Sequence, residues 1–65
     1  MIYVKMIIRG AKMQDEEKIV GLDLEDDIAY IARKYLFSDI RADEVVVEDE
    51  RTGNVLHQEW KIRNN

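Results

Sequence analysis

His57 and Glu59 are the residues of this 65-residue chain best suited to chemistry. They stand two positions apart, so an extended segment places both side chains on one face. An imidazole held by a carboxylate can serve as a general base. A base needs a group to activate, however, and the sequence offers few. It has no Cys, and Ser38 and Thr52 are its only Ser and Thr. Neither lies in a nucleophile pattern such as a Gly-x-Ser-x-Gly elbow. The two residues therefore read as a solvated pair on a sheet face. No catalytic residue is assigned, and the chain is expected not to be an enzyme.

The acidic run Asp23-Leu24-Glu25-Asp26-Asp27 raises the question of a hard cation. An EF-hand loop needs Gly at its sixth position and Glu at its twelfth. Counted from Asp23, those positions hold Ile28 and Lys34. The pattern fails, and the run reads as a helix start, where the dipole favours negative charge. A second acidic stretch, Asp43, Glu44, Glu48, Asp49 and Glu50, surrounds three valines. It could face a basic partner, but the simpler reading is a charged edge strand that resists pairing with other sheets. Thiolate zinc sites are excluded by the absence of Cys, and one His cannot form an imidazole cluster within one chain. Neither a metal nor a cofactor is expected.

Two groups of side chains suit binding better than catalysis. Tyr30, Arg33, Lys34 and Phe37 fall at helical spacing beside or opposite an apolar stripe. Aromatics next to cations can stack on bases or bury against another protein. Tyr3, Lys5, Ile7 and Arg9 alternate along the first segment and would form part of a sheet face. An RNA-binding sheet needs two aromatic-rich central strands, and only Tyr3 qualifies. The expected contacts with a partner are thus Tyr3, Lys5, Ile7, Tyr30, Arg33, Lys34 and Phe37.

Composition narrows the classes further. The net charge of −4 works against a general nucleic-acid binder, whose surface is usually basic. At 46 % hydrophobic residues the chain is too apolar for a disordered segment. Lys5 and Arg9 interrupt the N-terminal apolar run, which is too short and charged for a signal core or a membrane span. A complete, cytoplasmic, single domain over residues 1–65 is expected. With no disulfides, so small a chain depends on a well-packed core, on self-association, or on both.

These side chains need elements to position them. Met1 to Arg9 reads as a central strand, because both its faces carry apolar bulk. Ala11 to Glu16 reads as a loop, and Glu17 to Leu22 as a short second strand. A helix capped by Asp23 follows, with Asp26 three residues on and the stripe Ile28, Ile31, Ala32, Tyr35 and Leu36. Arg33 and Lys34 are placed in its last turn. Glu44 to Asp49 is the third strand, and Arg51 to Asn54 is a turn with Gly53 at positive φ. Val55 to Arg63 is the fourth, with Leu56, Trp60 and Ile62 facing a core and His57, Glu59 and Lys61 outward. Asn64 and Asn65 are expected to fray.

The order β-β-α-β-β predicts an α+β fold with one helix on a four-stranded mixed sheet. The first and fourth strands, taken as the most apolar, go to the centre and run parallel, giving spatial order 2-1-4-3. In element order and length this resembles the immunoglobulin-binding domain of protein G and the wider β-grasp group. Sulfur carriers and ubiquitin-like modifiers of that group end in Gly-Gly, a pair found nowhere in this sequence. A carrier role is therefore not expected. The functional expectation is a small non-catalytic protein-interaction module that self-associates. The alternative is a nucleic-acid accessory protein using the outer sheet face, with Lys61, or the basic and aromatic helix patch. No membrane contact is expected.

Overall fold

The computed structural model describes residues 1–62. It contains β1 (Ile2–Gly10), β2 (Met13–Leu22), α1 (Ile28–Ser38), β3 (Glu44–Asp49) and β4 (Val55–Trp60). The strands form one antiparallel sheet in the order β2-β1-β3-β4, and the helix packs on one face. The class is α+β. The expected mixed sheet with β1 beside β4 is corrected: β1 pairs with β3, Met6 opposite Val47 and Ile8 opposite Val45. The β-grasp layout, with its first and last strands parallel at the centre, is not the one formed.

The reason lies in the run Val45-Val46-Val47. Consecutive β-branched residues put apolar groups on both faces, which suits a strand buried on both sides. All three are buried. β4 alternates between exposed and half-buried residues and forms an edge. The acids around the valines consequently do not guard an edge. Glu44 is buried and accepts from Gln58 Nε2, and Glu48 lies opposite Lys5.

β2 begins earlier than expected, at Met13, because a short Ala11-Lys12 turn suffices to reverse the chain. Gly10 makes this possible. A Cβ there would stand 2.1 Å from the backbone oxygen of Arg41, so only glycine lets the hairpin and the α1–β3 loop approach so closely. β2 and β3 point the same way with β1 between them, and α1 is the crossover connecting them.

The helix starts later than its acidic run. Asp27 is its cap, accepting from the backbone N–H of Tyr30 at 3.2 Å. Half of the expected Asp23–Asp26 box forms: Asp23 N–H donates to Asp26 Oδ2 at 2.8 Å, but Asp26 N–H donates to the Asp23 backbone carbonyl, and the pair closes a turn before the helix. Arg33 and Lys34 are mid-helix, since the last turn holds no basic residue. The apolar stripe is as expected. Ala32 and Leu36 are fully buried among Val4, Met6, Ile8, Leu22, Ala42, Val45 and Val47, and Ile28, Ile31 and Tyr35 border them.

The phase of β4 is also corrected. His57 lies opposite Val47 and Glu59 opposite Val45, so both face the helix. Gln58 and Trp60 lie opposite Val46 and Glu44, on the other face. Trp60 is 60 % exposed and is not a core residue. The strand ends at Trp60; Arg63, Asn64 and Asn65 lie outside the described residues.

The β3–β4 turn is built on Asp49. Its Oδ1 accepts from the N–H groups of Arg51 and Thr52, and its carbonyl accepts from Gly53 N–H at 2.7 Å. Gly53 has φ 78°, as expected. Gly53→Ala should cost about 1–2 kcal/mol, the strain of a left-handed residue with a Cβ. Gly10→Ala should cost more, because the Arg41 carbonyl must move. Equal losses in urea unfolding would contradict the close-approach argument.

Candidate functional site

Arg33, His57 and Glu59 form a hydrogen-bonded cluster that joins titratable side chains from helix and sheet. Arg33 Nε donates to Glu59 Oε2 at 2.5 Å and its Nη2 donates to Oε1 at 3.2 Å. His57 Nε2 lies 2.9 Å from the same Oε1. Arg33 thus reaches down from the helix onto the two half-buried residues that β4 turns toward it. The Arg33 hydrogen bonds, and then that of His57, hold the Glu59 carboxyl below the usual carboxylate range. The same bonds raise the Arg33 guanidinium above its ordinary value. A carboxylate stabilised in this way is a poor proton acceptor. The arrangement ties β4 to α1.

The expected contact residues divide between opposite sides of the molecule. Tyr30, Lys34 and Phe37 lie on the helix, with Tyr30 and Phe37 exposed. Lys34 Nζ sits 5.6 Å from the centroid of the Tyr30 ring, and Lys61 Nζ is equally placed over Phe37. Lys61 also donates to the Asp39 carbonyl at 2.8 Å, which anchors it at the helix end. Arg33 belongs to the β4 flank through Glu59. On the opposite flank, Tyr30, Ile31, Lys34, Tyr35 and Ser38 line an open trough of about 370 Å³. Lys18 Nζ lies 5.6 Å from the Tyr35 ring centroid.

Tyr3, Lys5 and Ile7 lie on the sheet face away from the helix. Ile7 and Val46 are opposite each other there, and each is only 6 % exposed. No element covers that face among the described residues. Their neighbours on that face are Glu17 opposite Ile7, Gln58 opposite Val46, and Lys5 and Arg9 along β1, long side chains whose stems are able to cover apolar surface. Lys5 Nζ is 3.8 Å from Glu17, and Arg9 Nε donates to Asp15 at 3.1 Å. Tyr3 is exposed and its ring flanks Gly21. His57, Glu59 and Lys61, expected beside these residues, are not on this face.

What the sequence reading misses is the apolar character of the β4 edge. Val55, Leu56 and Trp60 are all exposed there, and Ile62 follows directly. The alternation of β4 carries the signal, but hydrophobicity alone points those residues at a core. Among the described residues no group of three or more His, Asp or Glu could hold a metal ion, and no helix is long and apolar enough to cross a membrane. No protein-family model, curated protein or solved structure matches the chain.

The pH dependence follows from the depressed carboxyls. Glu59, and Asp39 under the hydrogen bonds of Arg41, ionise more easily folded than unfolded. Their contribution is present above the ordinary carboxylate pKa and is lost as pH falls through the lowered one. Glu59→Gln should therefore lose stability less steeply on acidification than the wild type. Urea unfolding across an acidic pH series checks this, and parallel curves would show that Glu59 contributes nothing.

Proposed function

We propose that the chain is a small non-catalytic protein-interaction module that associates with itself. The observation that carries this reading is the group of large apolar side chains left in water along β4, Val55, Leu56 and Trp60, continued by Ile62. Singly scattered exposed apolar residues are ordinary, but several large ones gathered on one edge strand suit a surface that another chain covers. A second copy is the partner that is always available at matching concentration. Tyr30 and Phe37 on the helix offer further contact area, as does Tyr3 on the opposite face. Ile7 adds little because its neighbours already bury it.

The state of the cations supports this reading over nucleic-acid binding. Lys5, Arg9, Arg33 and Arg41 are committed to carboxylates, and Lys18, Lys34 and Lys61 lie over aromatic rings. A phosphate backbone would have to displace these partners and approach a chain of net charge −4.

Size-exclusion chromatography with light scattering tests the reading. A mass that rises above the 7.7 kDa of one chain as concentration increases from micromolar to millimolar is expected. A mass of one chain throughout would overturn self-association.

A further inference from the structure

We propose that a shallow pocket at the end of the open sheet face, between Glu44 and Trp60, binds one primary alkylammonium group. The proposal is independent of self-association, because a single copy forms the pocket.

Cross-strand register builds it. Arg9 lies opposite Glu44, and Glu44 lies opposite Trp60, so the three side chains form one row on the face away from the helix. Gly10, Ala11 and Asp43 close the end of that row, and together these residues line a space of about 160 Å³. That is room for one charged group and too little for a larger ligand.

The carboxylate of Glu44 sets the chemistry. Its side chain is 8 % exposed, and a carboxylate taken out of water needs partners for its oxygens. Oε2 accepts from Gln58 Nε2, a neutral donor. Oε1 accepts no hydrogen bond among the described residues. Arg9 Nη1 stands 3.9 Å from it, beyond hydrogen-bond length. Arg9 is drawn the other way, where its Nε donates to Asp15 at 3.1 Å.

Trp60 supplies the other wall. Tyr30, Tyr35 and Phe37 each have a lysine ammonium 5.6 Å from the ring centroid. Indole is the ring that attracts a cation most strongly, yet Trp60 carries none among the described residues and is 60 % exposed. A buried anion with a spare oxygen and an indole without a cation thus border one small space.

An ammonium suits this pair better than a guanidinium. Glu44 offers one oxygen, whereas the guanidinium fork is matched to two. An ammonium donates to that single oxygen and rests its charge against the ring. The net charge of −4 favours the approach of a cation. A lysine side chain of a partner protein and a free alkylamine both present the group.

NMR titration of the isotopically labelled full chain tests the proposal, at pH 7, where alkylamines are protonated. The probes are Nα-acetyl-lysine methylamide, butylammonium chloride and Nα-acetyl-arginine methylamide, all at constant ionic strength. Trp60 is the only Trp, so its indole N–H gives a single signal. Both ammonium probes should shift that signal and the Gly10 and Ala11 amides, with saturation in the millimolar range. The arginine probe should bind several-fold more weakly. Tighter binding of the lysine compound than of butylammonium assigns the pocket to a partner's lysine; equal or weaker binding assigns it to a free amine.

Glu44→Gln keeps the side-chain shape and removes the charge, and it should weaken binding roughly tenfold. Trp60→Leu, followed on the Gly10 and Ala11 amides, should weaken it several-fold, and circular dichroism shows that each variant is folded. Shifts that do not saturate, an equal response to the arginine probe, or undiminished binding by either folded variant overturns the proposal.

Discussion

The pairing of β1 with β3 is the constraint from which the rest of the structure follows. Each strand buries apolar residues on both faces, Ile7 and Val46 on one and Val4, Met6, Ile8, Val45 and Val47 on the other, and side by side the two strands leave the least apolar surface in water. Once they occupy the centre, β2 and β4 are edges. The chain leaving β2 must then pass over β1 to reach β3, and α1 makes that passage. Its stripe lands on Val4, Met6, Ile8, Val45 and Val47, and a single core results. One helix covers only one face of a sheet. On the other face Ile7 and Val46 are buried among long polar neighbours, without a second layer among the described residues.

Charge is used locally in this molecule. Asp49 builds a turn, Asp27 caps the helix, and Glu59 holds Arg33. Asp43 draws several strand ends together: its Oδ2 accepts from Ala11 N–H, its N–H donates to Arg9, and its carbonyl accepts from Lys61 N–H. Arg41 links Asp39 at the helix end to Glu16 on β2. Many of the acids that look like a diffuse negative surface in the sequence are tied to backbone N–H groups or to guanidinium partners. The net charge is the remainder after those ties.

The element order and the helix stripe were legible in the sequence because both depend on short-range periodicity. Gly53 was legible for the same reason, since a turn's demand for positive φ is a local matter. Strand order was not. Counting apolar residues ranked β4 above β3, because Trp60 and Ile62 are large, whereas three adjacent valines were the better sign of a strand buried on both sides. The face of β4 was misread for a related reason. Hydrophobicity placed Leu56 and Trp60 inward, but Arg33, far away in the sequence, satisfies Glu59 and makes it the cheaper residue to turn under the helix. No pattern within β4 announces that partner. The aromatic and basic residues of α1 were placed correctly on exposed helix surface, while their division between two flanks depended on contacts with Lys18, Glu59 and Lys61 that only the fold reveals.

The central position of β1 has a consequence for synthesis. Of these four strands β1, one of the two central ones, is synthesised before the others, and one of its neighbours, β3, lies beyond the whole hairpin and helix. β1 and β2 can pair at once, because their turn is short and their contacts are local. The other edge of β1 then waits unpaired until β3 emerges. During that interval the growing chain exposes an edge that the finished molecule covers, the kind of unpaired edge on which intermediates aggregate.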